Sequence, residues 1–599
     1  MRMLGLWGAP HSHCAQLFSA IELDSGDPAQ FHRILRPGAA ALIRKGTAGI
    51  SVEEAFDGFA VVDGDVFEPR VTENGGSAAA LVLDLYRAYG LEALNRLESN
   101  AFIAIYDART ARVILARDRF GMGLGYWMER GDALLWSSEL TTLLRCDPRT
   151  ELDFAAIDQF LGAGRVTAPF TTLKHVHKLP SAHYLRADGQ GIRTYRYWRQ
   201  GGGRRLKASY SERLELLEHA LLSAHRRQIT PGKTAAALLS GGVDSMLMVA
   251  LLARLGCQTE TFTYRYTHYD GKFNESAPAS RTAAWIGLRH QEMPVGPQDI
   301  ATHFESILWQ HQGPLTYGLH SAMLSAIAGS SVEVLYSGQG NGGPSVSEQI
   351  GLMLASVPGL GKLLAQAGQL PFGGLFADIA YIGEVAKTRL SWRFHSPLTD
   401  PLTRNALYLE PGRMLEAAGA LNQLIGAVME EYADLCPQKA FCGTIQRLST
   451  ADSSLQWAAA FARANGLLGR CPYYDRELID LSYRLPSERD KRSLRRIAAK
   501  YLPRELAYAP KLGQTIPLST WFQGPLADWL GERLSHERIR RSGLFRPEVV
   551  GQLYRSHLVR RGNRGWTLWS VAALVGWQEI LCREAGRYTG RTLPLSAAG

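Results

Sequence analysis

The stretch Lys233 to Leu255, KTAAALLSGGVDSMLMVALLARL, constrains this chain more than any other, because an apolar run meets two adjacent glycines and then a long helix-forming segment. After its first residues Lys233–Leu239 is apolar and short, as expected of a strand buried on both faces in a parallel sheet. Ser240, Gly241 and Gly242 make the turn, and Asp244 and Ser245 stand at the cap of a helix running through MLMVALLARL to Gly256. Small residues let backbone amides approach an anion closely, and a helix N-terminus adds partial positive charge, so the predicted geometry suits a di- or triphosphate. A plain strand-to-helix turn capped by Asp244 has the same spacing, and both readings stay open at this point.

Two other glycine motifs do not compete. Gly232-Lys233-Thr234 mimics the end of a Walker loop, but Arg227 stands where the earlier glycine belongs, and the triplet precedes the strand. Gly338-Gln339-Gly340-Asn341-Gly342-Gly343 matches GxGxxG after the predicted strand Val332–Tyr336, but Pro344 follows and no acidic residue ends an obvious next strand.

A chain of 599 residues with 46% hydrophobic and 20% charged residues has material for two to four domains. It contains no run of eighteen uncharged apolar residues, and MRMLGLWGAPHSHC lacks the apolar core of a secretion signal, so a cytoplasmic protein with no membrane span is expected. Seven scattered cysteines without a CxxC pair read as free thiols and imply no structural metal. The net charge of +10 is spread along the chain, and short basic clusters such as Arg538 with Arg540 and Arg541 read as solvated helix faces, so no nucleic-acid partner is expected.

Up to about Trp198 the chain alternates β-rich runs with turns. Ala101–Asp107 and Val113–Arg117 have strand composition, GMGLGYW a glycine turn and ALLWSSEL a further strand, while Ala78–Tyr89 and Phe154–Leu161 are predicted helices. SNAFIAIYDARTARVILARDRFGMGLGYW, WSSELTTLL, LDFAAIDQFL and KLPSAHYL together resemble the N-terminal glutaminase domain of glutamine-dependent asparagine synthetases. The resemblance implies a nucleophilic cysteine after the initiator Met, with its own amine as base. Arg2 stands there instead, and Gly76 and Ser77 replace the family's Thr and Asp. Cys14 reads as a buried structural residue, and a glutaminase fold without glutaminase chemistry is expected. RQGGGRRLK, from Arg199 to Lys207, reads as a linker.

The loop SGGVDS resembles the pyrophosphatase loop of the adenylating enzymes that include asparagine synthetase. TETFTYRY, NESAPASRTAAWIGLRHQEM, VLYSGQGNGG, GRCPYYDRELIDLSYRLP and APKLGQTIPLSTWFQG continue that resemblance in order. The implied architecture is an α+β N-terminal glutaminase-like layered sandwich (residues 1–198), a linker (199–207) and an α/β ATP-pyrophosphatase parallel-sheet domain with helical additions (208–599). The implied chemistry is attack of a carboxylate on the α-phosphate of ATP, giving an acyl adenylate and pyrophosphate, followed by displacement of AMP by an amine. By the same resemblance Leu239, Ser240, Gly241, Gly242, Val243, Asp244, Ser245 and Gly338 bind ATP, Asp244 is a Mg2+ ligand, and Lys511 is the catalytic lysine that stabilises developing negative charge. The second loop departs from the family's S-G-E-G-x-D-E: Gln339 replaces the acid and Gly342 the second metal ligand. A neutral amide cannot serve as a base.

Synthetase loops beside a domain without the nucleophile resemble the branch containing lasso-peptide macrolactam synthetases and β-lactam synthetases, and the long segment Ser345–Pro437 favours the former. That likeness implies a precursor peptide whose Asp or Glu is adenylated, and a peptidase partner that exposes the attacking amine. A β-lactam-type or ammonia-using ligase, and a noncatalytic nucleotide- or peptide-binding scaffold, remain the alternatives.

Overall fold

The computed structural model describes residues 1–68, 76–201, 203–269, 274–316, 327, 331–339, 404, 406–410, 423–486, 488, 491–510, 516–561 and 563–588. Residues 1–198 build two six-stranded antiparallel sheets. The first runs in the order His177–Lys178, Tyr126–Arg130, Ala133–Ser137, Met3–Trp7, Ala39–Arg44, Phe31–Arg36, and the second Gly191–Arg196, His183–Asp188, Arg112–Arg117, Glu98–Asp107, Gly58–Glu68, Ile50–Ala55. Strand alternation explains the layering. Along Gly58–Glu68 and Glu98–Asp107, Val61, Phe102 and Ala104 face the first sheet, while Val62, Ile103 and Ile105 face the helix Ala78–Tyr89. Ser77 caps that helix by accepting the amide of Ala80 at 3.0 Å.

The predicted helix Ala78–Tyr89 has the expected bounds, and Phe154–Ala163 runs two residues past its predicted end. The run ALLWSSEL divides, with Ala133–Ser137 a strand and Leu140–Cys146 a helix. The glycine-rich segment after Trp198 does not stand free: Gln200 is buried, Arg199 pairs with Asp434 at 2.5 Å, and the Leu206 amide donates to the Arg484 carbonyl at 2.9 Å.

The second half is organised on a five-stranded parallel sheet in the order His290–Val295, Thr259–Tyr266, Ala235–Leu238, Val334–Ser337, Leu468–Arg470. From the central strand Ala235–Leu238 the chain winds first to one side and then returns to place Val334–Ser337 on the other. The helix Val243–Arg254 is buried almost all round, with Met246, Leu247, Met248, Val249, Leu251 and Leu252 inside. Burial on every side explains why its sequence shows little amphipathic pattern.

The halves share a buried seam. The Arg117 guanidinium lies 3.0 Å and the Lys178 ammonium 3.5 Å from the Asp452 carboxylate, which also accepts the Ala168 amide at 2.8 Å. Burial alone would raise the Asp452 pKa, but the two cations bring it down to about 2. The helix Gly565–Tyr588 packs against both halves, and the Trp577 indole donates to the Thr172 hydroxyl at 2.8 Å. No described helix is long and apolar enough to cross a membrane.

Candidate nucleotide-binding site

The glycine loop leaves the carboxyl end of the central strand Ala235–Leu238, and the second loop leaves the carboxyl end of its neighbour Val334–Ser337. Because the chain winds in opposite directions from these two strands, they flank the crevice where open α/β sheets bind ligands. The loops touch. A Cβ on Gly338 would lie 2.7 Å from the Ser245 Cα, and one on Gly241 would lie 2.7 Å from the Pro278 ring, so both close approaches need glycine.

Hydroxyl bonds fold the loop on itself. The Ser240 amide donates to Ser245 Oγ at 3.0 Å, the two hydroxyls lie 2.9 Å apart, and the Gly242 amide donates to Ser240 Oγ at 3.2 Å. The Gly241 amide donates to Glu275 Oε2 at 3.2 Å, and Glu275 is buried at 1% exposure.

The helix begins at Val243 with Gly242 at its cap and no capping side chain. Asp244 is therefore not the cap that the plain-turn reading needs. Its carboxylate accepts the Lys491 ammonium at 2.5 Å, and its carbonyl accepts the Tyr473 hydroxyl at 2.7 Å. The Tyr473 ring meets the buried His225 edge-on, with centroids 5.6 Å apart. Burial, and secondarily the Asp244 charge, holds the Tyr473 hydroxyl far above its ordinary pKa, so it acts as a neutral donor.

Leu239, Ser240, Gly241, Gly242, Val243, Asp244, Ser245 and Gly338 thus lie together at the strand ends, with Gln339 beside them. Lys511 and Gly342 lie outside the described residues, as does most of Ser345–Pro437. Lys491, Glu275 and Tyr473 are the residues that sequence reasoning did not single out. Glu275 and Tyr473 sit in stretches that carried the family resemblance. Lys491 sits in the charged run SERDKRSLRR, which reads as solvent-facing, and only its left-handed backbone, with φ of 53°, marks it as unusual.

The sequence profile described as asparagine synthase matches residues 216–341 and 438–579, and that described as glutamine amidotransferase domain matches residues 68–198. The chain belongs to the asparagine synthetase family. Family members are ATP-dependent ligases that release AMP and pyrophosphate, and the crevice described here lies inside the matched regions. Asparagine synthetase [glutamine-hydrolyzing] 1 of Bacillus subtilis is 22% identical over 85% of this chain and 82% of its own length. A putative asparagine synthetase [glutamine-hydrolyzing] of Mycobacterium tuberculosis is 24% identical over 86% of this chain and 81% of its own. The amidase chyE of Penicillium rubens is 25% identical over 47% of this chain and 46% of its own. The gap between the two asparagine synthase segments, 342–437, nearly coincides with the stretch that no motif placed.

Proposed function

We propose that this ATP-dependent ligase adenylates a carboxylate of a precursor peptide and closes an intramolecular macrolactam, in the manner of a lasso-peptide cyclase working in the cytoplasm. The observation that carries this reading is the cavity at Arg2. It has a volume of about 770 Å³ and is lined by Arg2, Arg44, Lys45, Glu139, Trp309 and Arg463 among others, and none of its described lining residues is a cysteine. Where the family resemblance calls for a nucleophile, the Arg2 guanidinium donates to buried Asp63 at 2.7 Å and to the Ala48 carbonyl at 2.8 Å. Cys14 does not substitute, because burial pushes its thiol up to about 11. An amine already present on the substrate then replaces ammonia from glutamine. A partner peptidase would expose that amine.

In this reading the loop Leu239–Ser245 and Gly338 hold the phosphates of ATP. Lys491 takes part from the rim, and Lys511 meets the developing charge. No cluster of three metal-ligating side chains occurs among the described residues. A Mg2+ ion would take Asp244 as its protein carboxylate and fill its other positions from phosphate and water, the usual habit of this ion at nucleotide sites. The ion would neutralise charge on the phosphate oxygens when bound, and the Asp244 carboxylate that would hold it faces the Lys491 ammonium.

Pyrophosphate release from ATP tests the proposal, measured in turn with acidic precursor peptides bearing a free N-terminus, with small β-amino acids, and with aspartate plus glutamine or ammonia. Release with a peptide, accompanied by loss of one water from its mass, is the expected result. Release only with a small β-amino acid or only with ammonia would replace the macrocyclase by one of those ligases, and release with none would leave a scaffold.

A further inference from the structure

The glutaminase-like half holds the synthetase half at two carboxylates on a single strand. Asp63 and Asp65 lie two residues apart on Gly58–Glu68, so their side chains leave the same face. Asp63, with no exposed side-chain surface, binds Arg2 and faces the Arg463 guanidinium at 3.6 Å. Asp65 accepts Arg470 at 2.7 and 3.2 Å. Arg470 is buried and also donates to the Gln228 carbonyl and, at 2.8 Å, to the Thr230 hydroxyl.

The two arginines bracket a short piece of chain. Arg463 lies in the last turn of the helix Ser454–Ala464, and Arg470 ends the edge strand Leu468–Arg470, which pairs with the strand leading to Gly338. Three residues beyond Arg470, across Pro472 with its fixed φ, stands Tyr473, whose hydroxyl holds the Asp244 carbonyl at 2.7 Å. The path from Asp65 to the first turn of the nucleotide helix is thus one ion pair, three residues of stiff chain and one hydrogen bond.

We infer that Asp65 is a positioning residue for the nucleotide loop, and that the glutaminase-like half serves as a clamp that sets the Asp244 turn through Arg470 and Tyr473. This rests on the reading of Ser240–Ser245 as the phosphate loop, but not on the identity of the carboxylate substrate.

The test is binding of a fluorescent ATP analogue with Mg2+ to the full chain, followed by anisotropy well below the melting temperature. Asp65 is 24% exposed, so Asp65→Asn is expected to fold. It should weaken binding roughly threefold to tenfold, the effect of loosening the one neutral hydrogen bond, from the Tyr473 hydroxyl to the Asp244 carbonyl, at the end of this path. Tyr473→Phe should do the same, and the double variant should lose no more than either single one, because both act on one path. If Asp65→Asn does not fold, Thr230→Val, which removes another bond from the same guanidinium, should weaken binding in the same direction. Wild-type affinity in Asp65→Asn with only a lower melting temperature would overturn the inference, as would additive losses. Asp244→Ala separates the two ideas. Weakened binding there with an unaffected Asp65→Asn removes the clamp alone, whereas unaffected binding there removes the loop reading and the clamp with it.

Discussion

The Lys491 ammonium lies 2.5 Å from the Asp244 carboxylate, at the first turn of the helix that follows the glycine loop. The two are 247 residues apart, and each side chain keeps part of its surface open. A partly exposed pair of this kind adds little to stability, so its place at the strand ends argues for service to a ligand. Lys491→Ala should leave the melting temperature nearly unchanged while lowering ATP affinity about tenfold or more, as expected for a lost charge-assisted contact to phosphate. Asp244→Ala should abolish pyrophosphate release. A Lys491→Ala variant that is less stable but binds ATP normally would mark the pair as structural.

Gly338 separates the second loop from the backbone of Ser245. In Gly338→Ala the new methyl would lie 2.7 Å from the Ser245 Cα, a contact that backbone movement alone can relieve. The two loops must part, at a cost of about 1–3 kcal/mol. Titration of ATP into this variant should show a loss of roughly tenfold, and Gly338→Val should lose more.

Arg2 and Arg463 together neutralise the buried Asp63, whose pKa stays below the ordinary carboxylate value although burial alone would raise it. Arg2→Ala leaves that carboxylate with one partner, at a cost on the order of 3 kcal/mol. Thermal unfolding should show a clear drop for Arg2→Ala and a smaller one for Arg2→Lys. Neither variant, nor Arg2→Cys, should gain glutamine hydrolysis, since in Arg2→Cys the pocket keeps Asp63 and Arg463 facing each other at 3.6 Å.

Three buried histidines are held neutral. Burial lowers His225 and His311 to about 4, and burial with the neighbouring Arg447 charge lowers His183 to about 3. Their unfolded pKa lies near 6.5. Below that pH the unfolded chain binds protons that the folded chain refuses, so stability is complete above about pH 6.5 and falls as pH drops toward 4, by up to about 1.4 kcal/mol per pH unit for each histidine. Denaturant unfolding at pH 7, 5.5 and 4.5 checks this. Of the three, His225→Gln should also weaken ATP binding, because His225 is the one that packs on Tyr473.

Local chemistry determined a great deal here. The apolar run, the paired glycines and the apolar helix of Lys233–Leu255 specify a buried strand, a tight turn and a buried helix, because each depends on contacts within a few residues. The strands within Glu98–Asp107 and Arg112–Arg117 and the helix Ala78–Tyr89 were legible for the same reason. Long-range pairing was not. Whether Asp244 caps its own helix or faces a distant cation depends on where the chain near residue 491 returns, and no spacing encodes that. Nor could any local pattern show that Gly338 would rest on Ser245, that Glu275 would close over the Gly241 amide, or that Asp65 would hold Arg470. The sequence by itself determined the loop and its family; only the tertiary structure decided which charges meet at the loop, because those partners lie tens to hundreds of residues apart and are joined by packing, not by period.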